Sequence, residues 1–346
     1  MQYSTNRLFV QDVRRFGLTS SARRGTMFLL FFTKAVQQMD IQILYSQIII
    51  MFLLMAIGAA AYRVGIVTSA GSSEFSGLLM KIVAPCVIIN AFLREYDSTM
   101  LSWLLQSLIL SLALFVLSAV VVAVLFSKKQ ENWADKQMCA MFTNNGFMAL
   151  PLLQALFGDD GVFIGSIAIV AMNFMLWTYG VMLLSSATKT AQKIDLKKIL
   201  LNPGTVGFCI GVVLFVVSPP LPAVFTETIG FVSDLNTPLA MMVLGVYLAQ
   251  SDLLTTLRDR AVYAVCAARL LLLPLLCMAV MLVLPLDPAV ERVIMVSMAT
   301  PCAVASSMFA QMFGTNHLYA SRIIAFSTLL SAISMPLVLS LYTILT

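Results

Sequence analysis

Apolar residues run through this chain in blocks of about twenty, broken by short polar connections, from residue 43 almost to the C-terminus. A helix rises about 1.5 Å per residue, so each block covers the roughly 30 Å of hydrocarbon in a bilayer. The pattern predicts an all-α polytopic membrane protein of ten transmembrane helices. They fall near 43–62, 75–93, 101–126, 137–157, 161–184, 200–217, 228–250, 261–284, 290–312 and 322–344. Residues 1–38 do not fit this pattern. Arg7, Arg14, Arg15, Arg23 and Arg24 precede an apolar run, Met27 to Phe32, that is too short to span. They read as a disordered basic extension or a start-site artefact.

Charge along the connections alternates. Arg63, Lys128, Lys129, Lys136, the four lysines between 186 and 199, Arg258, Arg260 and Arg322 fall in one set of loops. Only Arg94 and Arg292 fall in the other. Basic loops stay in the cytoplasm, so both ends of the ten-helix core are expected outside. The long polar connection 186–199 is then a cytoplasmic loop between a first five-helix repeat, 39–185, and a second, 200–346. Prolines support that division. Pro85 and Pro151 lie in spans two and four, and Pro238 and Pro301 in spans seven and nine. An odd number of spans per half makes the two repeats inverted.

Composition narrows the function classes. With 60% apolar and only 11% charged residues, the chain has no water-facing surface to build a soluble domain. The formal charge of +5 reports cytoplasmic anchoring and not a nucleic-acid partner. All six cysteines sit inside apolar runs, as small packing residues. One histidine, His317, cannot supply a zinc-protease site and reads as a solvated loop residue. No nucleotide-binding motif and no cofactor signature appears.

The chemistry concentrates in spans four and nine. Span four carries Asn144, Asn145, Gly146 and Pro151, and span nine carries Thr300, Pro301 and Ser306. Pro151 removes the hydrogen bond to the Phe147 carbonyl, Pro301 frees that of Ser297, and Gly146 weakens its turn. Opened backbone at membrane depth survives only where protein or a wet cavity satisfies it. Two interrupted helices at matching positions therefore point to a transporter's central site. The alternative is a pair of proline kinks with asparagines as interhelical glue.

The stretch from Asn144-Asn145-Gly146-Phe147 to Pro151-Leu152 resembles the auxin efflux carrier family, which includes the plant PIN exporters and many bacterial carriers. So do Asn202-Pro203, Pro238 to Ala249, Pro301 with its Ala-rich sequel, and Ser327 to Pro336. The resemblance implies broken crossover helices four and nine, an architecture shared with bile-acid symporters and sodium/proton antiporters. It also implies a bacterial inner-membrane carrier that forms a homodimer through a scaffold of helices 1, 2, 6 and 7. Half-helix N-termini favour a carboxylate, so the expected cargo is a small organic anion; the resemblance implies auxin-like acids or small dicarboxylates such as malate and malonate. Asn144, Asn145, Gly146, Pro151, Thr300, Pro301 and Ser306 would line its site.

Lys81 and Asp234 each lie four residues before a helix proline, Pro85 and Pro238. They are candidates for coupling protonation or substrate charge to movement, or else anchors at a helix end. The resemblance places Lys81 where the plant exporters carry a lysine, but Gly77 stands where their acidic partner would be. Arg269 and Arg322 read as anchors near span edges. Two other functions compete with a carrier. A cation/proton antiporter needs carboxylates near the crossover, and none lies within several residues of Pro151 or Pro301. A non-transporting membrane sensor of carboxylates would look the same in sequence.

Overall fold

Helix starts follow from local chemistry. Thr68, Asp97, Asn202, Asp259, Asp287 and Asn316 each turn a side-chain oxygen onto a free amide of the turn that follows. Pro203 and Pro288 sit just inside their helices, where a missing N–H costs nothing. The computed structural model describes residues 41–94, 97–188, 201–251 and 256–346. The extension 1–38 and nearly all of the connection 186–199 lie outside the described residues.

The helices are α1 (Ile41–Arg63), α2 (Ser69–Phe92), α3 (Ser98–Leu125), α4 (Trp133–Met141) and α5 (Asn145–Thr188). They continue with α6 (Pro203–Val217), α7 (Ala223–Gln250), α8 (Arg260–Met281), α9 (Pro288–Ala299), α10 (Val304–Phe313) and α11 (His317–Leu345). Apolar side chains face outward along many of them. Ile109 and Val124 on α3 and Ile333 on α11 are more than two-thirds exposed. Water would not support such faces, and lipid does. The chain is a polytopic, lipid-embedded helical protein.

The expected ten-span inverted repeat is not what forms. Among the described residues, seven helices are long and apolar enough to cross a membrane: α1, α2, α3, α5, α7, α8 and α11. Hydropathy reads composition and misses breaks. The fourth expected span stops at Met141 and resumes at Asn145, and the ninth stops at Ala299 and resumes at Val304. The sixth, α6, has only 15 residues, about 22 Å of helix. The halves also differ element by element, since α1 has 23 residues where its expected counterpart α6 has 15.

Within α5 the chain folds back at Gly158, whose φ of 61° and ψ of −148° suit glycine. The approaches of Leu153 to Gly165, Thr143 to Met172 and Met138 to Gly180 are all centred on that turn. The helices that carry Pro85, Pro151 and Pro274 each widen by one residue just before the proline. Ala84, Leu150 and Leu273 reach back five residues to the carbonyls of Leu79, Asn145 and Ala268. Such wide turns absorb the lost proline bond. Pro238 behaves differently, because it follows a break at Leu235.

Candidate functional site

The two gaps, after α4 and after α9, meet. Thr143 and Cys302 pair as a single antiparallel bridge. The Asn144 amide donates to the Pro301 carbonyl at 3.0 Å and the Ala303 amide to the Phe142 carbonyl at 2.9 Å. The Cys302 amide donates to Ser327 Oγ at 3.3 Å. Each broken segment thus supplies the other with the backbone partners its own helix has lost.

The C-terminal ends of α4 and α9 are satisfied from within. Ser306 Oγ donates to the Met138 carbonyl at 3.2 Å, and Thr300 Oγ1 to the Ser297 carbonyl at 2.8 Å. Arg269 serves the rest. Its Nη1 donates to the Met141 carbonyl at 3.2 Å and the Ala140 carbonyl at 3.4 Å, and its Nη2 donates to the Met298 carbonyl. Arg269 is 1% exposed. It is therefore no edge anchor, as the sequence suggested, but a cation at the centre of the bundle. Nothing in the sequence around it signals this, because the carbonyls it meets belong to other helices.

The N-terminal ends are open. No side chain caps α5 at Asn144 or α10 at Ala303. Their first residues, Asn145, Gly146 and Phe147 with Val304 and Ala305, line a cavity of about 210 Å³. Asn173, Asn202 and Asn236 also line it, with Trp177 and Phe309 packed edge to face at 4.7 Å between ring centres. Asn173 Nδ2 donates to Asn202 Oδ1 at 3.3 Å. Asn144 and Asn145 are buried, yet among the described residues Asn144 Nδ2 and both polar atoms of the Asn145 side chain have no hydrogen-bond partner. A buried amide left unpaired costs about 1–3 kcal/mol. Such groups call for an explanation, and a bound water or ligand would supply one.

Of the residues expected at the site, Asn144, Asn145 and Gly146 line this cavity. Pro151, Thr300, Pro301 and Ser306 are buried and do not line it. Asn173, Asn202 and Asn236 were not foreseen. Only Asn202 gave a signal, as a helix cap before Pro203.

A larger cavity, about 1050 Å³, opens beside Ser69 on α2, Ser251 after α7 and Asn316 before α11. It shares Met80, Val304 and Met308 with the smaller one. Lys81 and Arg322 line it, and among the described residues no carboxylate does. Lys81 is exposed there, and Arg322 sits 5.5 Å from the Tyr319 ring. Asp234 is exposed at the α7 break and lines neither cavity. Lys81 and Asp234 are not brought together. His317 is the partly exposed first residue of α11. Among the described residues, no three His, Cys, Asp or Glu side chains are grouped to hold a metal.

No curated protein matches the chain. The family described as membrane transport protein matches residues 43–339, most of its length. A bundle of apolar helices around a buried polar crossing accords with that match, and the chain belongs to the membrane transport protein family, the family that includes auxin-efflux-carrier-like transporters.

Proposed function

We propose that the chain is a secondary carrier that moves small organic anions, carboxylates above all, by alternating access at the crossing of its two broken helices. One observation carries this reading: Asn144 and Asn145, whose buried side-chain amides lack a partner among the described residues, line a cavity walled by two uncapped helix N-termini. Amide donors and positive dipole ends together favour a carboxylate. The apolar remainder of the wall, with Trp177 and Phe309, suits a hydrocarbon or aryl body. Pro151, Thr300, Pro301 and Ser306 hold the breaks open.

The larger cavity serves as the entry path, with Lys81 and Arg322 drawing anions inward. The basic loops support a mouth on the cytoplasmic side of a bacterial inner membrane. Helices α1, α2, α6 and α7 would form the homodimer scaffold. Lys81 and Asp234 remain the coupling candidates. A cation/proton antiporter is disfavoured, because the smaller cavity is lined by no ionisable side chain among the described residues.

Counterflow in proteoliposomes tests the reading. Vesicles loaded with unlabelled phenylacetate or malonate should accumulate the labelled acid transiently. Binding without counterflow would leave a sensor, and neither binding nor counterflow of any carboxylate would remove the anion site.

A further inference from the structure

Arg269 touches neither cavity, yet it is the buried cation at the crossing. It rises from the widened turn Ala268–Leu272 of α8. Its hydrogen bonds go to carbonyls of two other helices, Ala140 and Met141 at the end of α4 and Met298 at the end of α9. A guanidinium with only backbone partners is a costly thing to bury. The arrangement explains the cost. Each helix C-terminus carries about half a negative charge, so two of them present roughly one, which a single arginine cancels. On the far side of the gaps, the positive N-termini of α5 and α10 face the smaller cavity uncapped. Four half-helix ends meeting at one point would otherwise cancel in pairs. With the negative pair neutralised, the positive pair stands alone.

We infer that Arg269 is a positioning residue that clamps the ends of α4 and α9 and, by neutralising them, gives the crossing its preference for an anion over a neutral ligand of the same shape. The preference rests on the carboxylate reading above, and the clamp does not.

The test uses the purified full chain as wild type, Arg269→Gln and Arg269→Lys. Two readouts are taken: amide hydrogen exchange over 142–146 and 300–304, and thermal stabilisation by phenylacetate against phenylacetamide, which differ in charge and scarcely in shape. Folded Arg269→Gln should exchange faster in both segments and lose about tenfold of its carboxylate preference. Arg269→Lys keeps the charge and loses the fork, so it should exchange faster but hold its preference within about threefold. Unchanged exchange in either folded variant overturns the clamp. An unchanged preference in folded Arg269→Gln, or a lost one in folded Arg269→Lys, overturns the electrostatic role. If Arg269→Gln does not fold, Arg269→Lys decides both points. If the wild type takes neither probe, the carboxylate reading fails, and exchange alone decides the clamp.

Discussion

Gly245 of α7 packs so closely on Met55 of α1 that a Cβ placed on it would stand 1.9 Å from the Met55 carbonyl oxygen. The contact is reciprocal, since a Cβ on Gly58 would stand 2.1 Å from the carbonyl oxygen of Met242. Without a hydrophobic drive inside lipid, helices associate through such close backbone approach. Gly245→Ala must push the helices apart, at about 1–3 kcal/mol for an overpacked contact. The expected result is a lower thermal midpoint of the purified protein in detergent. An unchanged midpoint would mean that α1 and α7 separate freely.

Asn144 and Asn145 should behave in the opposite way. Among the described residues neither the Asn145 side chain nor Asn144 Nδ2 has a hydrogen-bond partner, so alanine forfeits little there. Removing a buried unpaired polar group is neutral or stabilising by about 1 kcal/mol. Asn145→Ala is expected to melt no lower than wild type while carboxylate uptake falls by an order of magnitude. Asn144→Ala should lose uptake similarly. Uptake and melting measured on the same preparation check this, and unimpaired uptake in both variants removes the site from α5.

Gly146 offers a steric test. A Cβ there meets nothing within 4 Å, yet the residue lines the smaller cavity. Gly146→Ala should fold as well as wild type or slightly better, as glycine costs about 0.5–1 kcal/mol within a helix. The added methyl should hinder a bulky acid more than a small one. Competition by phenylacetate and malonate measures the difference.

Lys81 and Asp234 are tested through the pH profile of transport. Lys81 lines the larger cavity and Asp234 does not. If Lys81 couples charge to movement, Lys81→Met flattens or displaces the profile, whereas Asp234→Asn transports like wild type. Unchanged profiles in both variants make them anchors.

The breaks in spans four and nine were legible in the sequence because part of their cause is local. Asn145 and Gly146 are poor helix formers beside the first gap and Pro301 stands in the second, whereas Pro151 only widens its turn. What they cost elsewhere was not legible. Arg269 looks like an edge anchor until the ends of α4 and α9 are seen beside it. The span count failed for a related reason, since apolar composition continues through gaps where helix does not. The proline symmetry misled as well. Pro85 follows a widened turn and Pro238 a break at Leu235, so equal spacing did not produce equal backbone.

The crossing also governs how the protein can be made. Arg269 reaches back 128 residues to Met141, and Ala303 reaches back to Phe142. A ribosome therefore releases α4 and the start of α5 long before their partners exist. In that interval the carbonyls of Ala140, Met141 and Phe142 lack the groups that later satisfy them, and hydrocarbon charges several kcal/mol for each. The growing chain must keep this region wet, within the insertion machinery or at its rim, until α8 to α10 arrive. A chain that stops after α7 would lack the donors that α8 and the gap before α10 supply to these three carbonyls.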